Sequence, residues 1–229
     1  MLWKNTVAPE LLDVLTNMQG NEIFRDFILA GGTALALQIG HRESKDIDLF
    51  TIGKLESDVY IKYFEKYSND IKIINNKENI LQLIVNKVKV DIVSVKGIMI
   101  EPPRVEENLK MFSIKDIAGM KLLAIQQRKQ AKDYIDIAYL LQEMSLEDMF
   151  DTYKIKNNTD NVYNAKCSLL DVNRVNPYTW SNIKMFRNDI LISEIPRIFE
   201  IEIKKYNEKF GIGKKSFFGG LKKSAPRLR

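Results

Sequence analysis

The apolar positions change period several times along the first fifty residues. In PELLDVLTNM, Leu11, Leu12, Leu15 and Met18 recur at helical spacing behind Pro9 at a first-turn position, which predicts a helix with one buried stripe. A short second helix is expected after it. Phe27-Ile28-Leu29-Ala30 is a compact apolar run halted by Gly31-Gly32, and Thr33 to Ile39 reads as a helix ended by Gly40. The predicted unit is strand, glycine turn, helix. From Arg42 to Phe50 the pattern alternates: Arg42, Ser44, Asp46 and Asp48 fall two apart while Ile47 and Leu49 point the other way. In an extended segment those four polar groups share one face.

Farther on, residues 55–67 read as a charged surface helix and residues 71–74 as a strand. Asn79 to Val85 and Val88 to Val95 are β-rich runs whose two-residue connection, Asn86-Lys87, suits a hairpin. Pro102-Pro103 punctuates the chain, and beyond Ser113 the period is helical, with helices predicted at 114–128, 132–144, 146–155, 161–171 and 189–208. Ser113 with Asp116, and Ser145 with Asp148, resemble capping boxes. The predicted class is α+β: a mixed sheet with flanking helices over residues 1–105, then a helical domain over 106–212. The joint is expected within residues 100–113, and no internal repeat is evident.

Composition narrows the classes. A chain of 229 residues, 45% apolar and 28% charged, is long enough for a real core, and no apolar run approaches the roughly 18 residues of a membrane span. The N-terminal sequence lacks the charged-then-apolar order of a signal peptide. One Cys, Cys167, forms no internal disulfide, and with His41 as the only His it builds no zinc site by itself; a reducing cytoplasm is the expected setting. The net charge of +5 is local. Six of the 35 basic residues lie in residues 213–229, which hold no acid, leaving 29 basic against 30 acidic elsewhere. That segment is expected to be a loose basic tail.

The chemistry concentrates at acids. Asp46 and Asp48, about 6.6 Å apart on one strand face, can ligate a divalent ion, and without a cation they repel each other. Asp91 interrupts the strongly apolar run Val88 to Val93, where a charge must be paired or bind something. Gly31-Gly32-Thr33, running into a helix, lets backbone N–H groups and a hydroxyl approach a phosphate. Lys121 has apolar neighbours Ile117, Ala118, Ala124 and Ile125, and Arg128 and Lys132 continue its stripe. Asp133 and Asp136 open the next helix; for Asp133 the expected role is to favour the macrodipole or to pair with Lys132 and Arg128.

In order, the blocks Gly31-Gly32-Thr33-Ala34-Leu35-Ala36-Leu37, Gly40-His41-Arg42-x-Ser44-x-Asp46-Ile47-Asp48-Leu49-Phe50, Lys121 to Arg128 and Lys132-Asp133-Tyr134-Ile135-Asp136 resemble the AbiEii/AbiGii toxin family of nucleotidyltransferases. The likeness spans residues 25–145. It implies a minimal DNA-polymerase-β-like nucleotidyltransferase core with a helical C-terminal domain, and an antitoxin partner in a type IV toxin–antitoxin or phage-exclusion system.

Carried over by position, Gly31, Gly32 and Thr33 resemble the phosphate-contacting turn, Asp46 and Asp48 the metal ligands, and Asp91 the third carboxylate. Lys121 resembles the lysine that meets the nucleotide phosphates. Arg128 and Asp136 match flanking nucleotide-site positions, and Arg42 and Ser44 would lie beside the nucleotide. The implied reaction uses Mg2+ or Mn2+ and an NTP, with Asp91 helping to activate an acceptor hydroxyl on RNA, a tRNA end or a protein. His41 lies off the carboxylate alternation and is not expected to be the base. Two alternatives stay open: a small-molecule transferase of the aminoglycoside-modifying kind, and a nucleotide-binding module without turnover. No membrane partner is expected.

Overall fold

The computed structural model describes residues 1–97 and 99–212, so the basic tail at 213–229 lies outside the described residues. The elements are α1 (Pro9–Gln19), β1 (Ile28–Leu29), α2 (Gly31–Ile39), β2 (Asp46–Thr51), α3 (Ser57–Tyr67), β3 (Ile71–Lys77), β4 (Ile80–Val85) and β5 (Val88–Ser94). After β6 (Arg104–Glu106) and β7 (Leu109–Met111) come α4 (Ile114–Gln127), α5 (Ala131–Glu143), α6 (Leu146–Asn157), α7 (Tyr163–Leu170), α8 (Tyr178–Ser181) and α9 (Ile195–Lys209). The strands form one mixed sheet in the order β3-β4-β5-β2-β1-β7-β6. The α+β class read from the sequence therefore stands.

Asn86 and Lys87 both take positive φ, 49° and 66°, the backbone whose twist matches an antiparallel hairpin. This places Val85 opposite Val88 and sets the register outward, with Leu83 opposite Val90 and Gln82 opposite Asp91. β5 then runs parallel to β2, aligning Asp48 with Asp91 and Asp46 with Lys89. One face of these strands is apolar except for Thr51 at the end of β2: Ile47, Leu49, Leu81, Leu83, Val85, Val90 and Ile92 are buried, and α1 and α3 lie against those strands. The alternate positions, Asp46, Asp48 and Phe50 on β2, Lys89, Asp91 and Val93 on β5, and Ile80, Gln82 and Ile84 on β4, are only partly covered.

Three expectations are corrected. The boundary at 105/106 falls inside a hairpin, because Glu107 and Asn108 make a second positive-φ turn and β7 pairs with β1 through Leu29 and Met111; the helical half begins at Ile114. Three-residue strands are too short to show a period. Arg42 and Ser44 are extended but precede β2, making single bridges to Met185 and Val7. The last helix starts at Ile195, with Pro196 in its first turn, and not at residue 189.

Ser113 and Ser145 cap α4 and α6, accepting from the N–H groups of Asp116 at 3.0 Å and Asp148 at 3.1 Å. The C-terminal segment returns to the sheet domain: Phe186 N–H donates to the His41 carbonyl at 2.9 Å and Glu43 N–H to the Lys184 carbonyl at 2.8 Å. Residues 183–187 thereby strap the loop that presents Arg42. No helix among the described residues is long and apolar enough to cross a membrane.

Candidate active site

Gly31 is where the β1–α2 turn meets the carboxylates. Its φ is +67°, and a Cβ there would stand 2.2 Å from Asp48 Oδ2. Ala30 N–H donates to the Asp48 carbonyl at 2.8 Å, which fixes the approach. Gly32 is needed for a different neighbour: a Cβ would lie 2.6 Å from Arg42 Nη2. No side chain caps α2, so its first N–H groups lack a side-chain acceptor. Thr33 is buried, its hydroxyl donating to the Asp46 carbonyl and lying 2.8 Å from Ser44 Oγ. The expected nucleotide contacts of Thr33 and Ser44 give way to an internal stitch between α2 and the approach to β2, since both hydroxyls are buried and already bonded. Gly31→Ala is expected to destabilise the fold by at least about 2 kcal/mol through left-handed strain and overlap. Thermal unfolding checks this, and a lowered transition should accompany loss of nucleotide transfer.

Asp48 and Asp91 face each other across β2 and β5. Asp91 Oδ2 accepts from Lys89 Nζ at 2.7 Å and from Gln82 Nε2 at 3.1 Å, whereas its Oδ1 is buried with no hydrogen-bond partner. Burial, and then the charge of Asp91, push the Asp48 carboxyl above the usual range. Burial works against the Lys89 ammonium, but its hydrogen bond to Asp91 and the charges of Asp91, Asp46 and Asp48 together raise its pKa. Asp46 Oδ2 lies 3.5 Å from Lys132 Nζ.

The three acids expected as a metal triad are in register but not gathered: among the described residues no three His, Cys, Asp or Glu side chains converge as a metal site. Lys89, Gln82 and Lys132 draw Asp91 and Asp46 aside, and like charges keep the carboxylates apart. The donor set nevertheless fits a hard divalent cation. It offers only oxygens, one of them orphaned, beside a carboxyl whose charge is disfavoured.

Behind the carboxylates lies a buried ionic network. Asp136, fully buried, accepts from Arg42 Nε at 2.6 Å and Nη2 at 2.8 Å, meets Lys121 Nζ at 2.5 Å and His41 Nε2 at 2.8 Å. Asp133, also buried, accepts from Lys121 Nζ at 2.8 Å and Arg128 Nε at 2.9 Å. Burial alone would raise the Asp136 carboxyl, but Arg42 and Lys121 hold it well below the usual range. For Lys121, burial opposes the charge and Asp136 and Asp133 restore it, leaving the pKa raised. Burial pushes His41 down toward the neutral ring.

This network revises the expected contacts. Asp136 and Arg42 are enclosed and touch each other, so they stand behind the nucleotide site and do not face it. Asp133 pairs with Lys121 and Arg128, while Lys132 turns to Asp46. His41 is fully buried against Asp136, which removes it from proton transfer at the carboxylates. Lys121 is buried yet lines the cleft, and half of the Arg128 side chain is exposed there.

The cleft itself has a volume of about 440 Å3. Phe50, Phe112, Ile117 and Met120 form an apolar wall, and Gly31, Asp48, Lys121 and Arg128 sit along it. An apolar slot ending in carboxylates and cations suits a planar base attached to a polyphosphate. Sequence reading missed Lys89, Gln82 and Phe112. The first two were within reach, because the Asn86-Lys87 turn alone dictates that Gln82 opposes Asp91 and that Lys89 shares its face.

Paired strand carboxylates beside a glycine turn, backed by a buried lysine and arginine, define a nucleotidyltransferase. The family of nucleotidyl transferase AbiEii toxins of type IV toxin–antitoxin systems matches residues 13–211, and the chain belongs to that family. A protein of Aquifex aeolicus is 34% identical over 141 residues, 60% of this chain and 68% of the relative. Two solved structures share the fold. MenT4, a nucleotidyltransferase toxin of Mycobacterium tuberculosis, aligns with a TM-score of 0.56 at 10% identity, covering 90% of this chain and 87% of its own. JHP933 from Helicobacter pylori aligns with a TM-score of 0.53 at 16% identity, covering 92% and 97%.

Proposed function

We propose that this nucleotidyltransferase moves NMP from an NTP to a hydroxyl of an RNA, a tRNA end or a protein in a metal-dependent reaction. It would do so in the cytoplasm as the toxin of a type IV pair that serves phage defence and is restrained by an antitoxin encoded nearby. The observation that carries the chemical part is the Asp48–Asp91 pair, with the orphaned Asp91 Oδ1: Asp48 lines the cleft against Gly31, and Asp91 stands beside it on the neighbouring strand.

Asp46, Asp48 and Asp91 would hold Mg2+ or Mn2+. Such an ion, when bound, supplies positive charge to the triphosphate and lowers the cost of charge developing at the α-phosphorus. The Lys121 ammonium has three donors and spends two on Asp133 and Asp136, leaving one for a phosphate in the cleft. Arg128, held by Asp133, offers its exposed edge to the same phosphates. Asp91 would take the proton of the acceptor hydroxyl as it attacks and pyrophosphate leaves, its Oδ1 being without a hydrogen-bond partner in the protein.

Incubating the full chain with each α-labelled NTP, Mg2+ and cell extract should place label in RNA or protein. Removing divalent ions with EDTA should abolish incorporation, and restoring Mg2+ or Mn2+ should recover it. Label found only in small metabolites, or transfer indifferent to EDTA, overturns the reading.

A further inference from the structure

A second cavity, of about 330 Å3, lies in the helical half, where the end of α6, the start of α7 and the last turns of α9 meet. It is separate from the nucleotide cleft, but the two share α6: Lys154 lines this cavity, and Lys156 and Asn157 line the cleft.

Lys166 is the residue out of keeping with its surroundings. It lines the cavity and is only 5% exposed, yet no carboxylate pairs with it among the described residues. The other buried lysine and arginine, Lys121 and Arg42, each face a carboxylate. Lys166 Nζ donates to Asn207 Oδ1 at 2.9 Å and stands 4.2 Å from the centre of the Tyr206 ring and 5.9 Å from that of Phe150. One neutral amide and two ring faces leave the charge without a counter-ion, which burial makes costly. The charge that does act on it has the same sign: burial, and then Lys154, push the Lys166 ammonium below its usual range. The acids nearby answer Lys154 instead. Asp151 Oδ1 meets Lys154 Nζ at 2.8 Å, and Asp160, exposed on the cavity rim, acts on the same ammonium. Residues 213–229 hold no acidic side chain that could supply the missing charge.

Further donors border the cavity. Asn161 Oδ1 accepts from the Tyr163 N–H at 2.8 Å, which leaves the NH2 end of that amide to donate. α7 begins at Tyr163 with no capping side chain at Val162, so the positive end of its backbone dipole adds to the same field. We propose that this cavity binds a phosphate group, with Lys166 as the buried counter-charge and Lys154 and Asn161 as flanking donors. A tetrahedral oxyanion accepts hydrogen bonds on several sides, which matches donors arriving from two helices and the loop between them.

Calorimetric titration of the full chain with inorganic phosphate tests this, alongside Lys166→Met, Lys154→Gln and, in the nucleotide cleft, Arg128→Gln. Lys166→Met should weaken phosphate binding at least about tenfold and Lys154→Gln about threefold, as loss of charged donors predicts, while Arg128→Gln retains it. Because the empty site depresses the Lys166 ammonium, binding at about pH 9 should take up a proton, read as an enthalpy that varies with the ionisation enthalpy of the buffer. In phosphate-free buffer Lys166→Met should melt no lower than the wild type, since it removes a buried charge, and phosphate should raise the wild-type transition alone. Glycerol 3-phosphate separates the sources: tighter binding than the inorganic ion marks a phosphomonoester, and equal binding marks free phosphate. A wild type that binds no phosphate, or an event kept in Lys166→Met and lost in Arg128→Gln, overturns the proposal. If Lys166→Met does not fold, Lys154→Gln decides, and unchanged affinity there without proton uptake by the wild type overturns it as well.

Discussion

Asp48→Asn should lose at least about 10³-fold in nucleotide transfer while becoming more stable in metal-free buffer. The rate loss follows from removing a carboxylate that holds the ion: several kcal/mol of transition-state charge stabilisation corresponds to a factor of ten per 1.36 kcal/mol. The stability gain follows from the sign of the pKa shift. Burial and Asp91 raise the folded-state value of Asp48, so its ionisation costs stability as pH rises through that value, and a neutral amide escapes the cost. Mg2+ provides the complementary readout. At a hundredfold excess over Kd it should stabilise the wild type by about 2.7 kcal/mol, or about 5 to 11 °C in a chain of this size, and should leave the variant nearly unmoved. Thermal scans at pH 7 with and without Mg2+ check both. A variant less stable than the wild type in metal-free buffer, with an unaltered response to Mg2+, would show that Asp48 is a structural group.

The carboxylate face was legible in the sequence because a strand's period of two is strict: Asp46-Ile47-Asp48 and Val90-Asp91-Ile92 each state which way their acids point. The Asn86-Lys87 turn then fixes the register that brings Asp91 beside Asp48 once β5 pairs with β2. The burial of Lys121 was half legible, since its i±3 and i±4 neighbours are apolar. What answers its charge was not. Asp136 stands near the start of α5, three residues after the first-turn acid Asp133, and nothing local says that α5 packs so that this carboxylate meets Arg42 from a loop 94 residues earlier. The β6–β7 hairpin escaped for a simpler reason: each strand has three residues and a dependent role, completing the sheet edge through β1.

The buried network sets the second large effect. Asp136→Ala should destabilise the protein by about 3 to 5 kcal/mol, because it leaves the Arg42 guanidinium, the Lys121 ammonium and His41 Nε2 without their shared carboxylate. That corresponds to about 6 to 20 °C in the thermal transition. Activity should fall as well, since Arg42 rests against Gly32 and Lys121 lines the cleft. The paired change Asp136→Leu/Arg42→Met separates the two consequences: an apolar replacement of the ion pair should recover most of the stability and little of the transfer rate.

The pH profile gives an independent check. Asp136 is held below its ordinary value, so its stabilising contribution is complete above the unfolded-state pKa of about 3.9 and is lost as pH falls through the folded-state value. His41, kept neutral by burial, binds its proton more readily when unfolded. Stability therefore begins to fall below about pH 6.5, by up to about 1.4 kcal/mol per pH unit until the folded-state value is reached. Wild type should show both acid losses, and in Asp136→Asn the one below about pH 4 should be smaller, the depressed Asp133, Asp116 and Asp189 carboxylates still contributing. Parallel curves for the two proteins across that lower range would mean that the charge of Asp136 does not hold Arg42 and Lys121 in place.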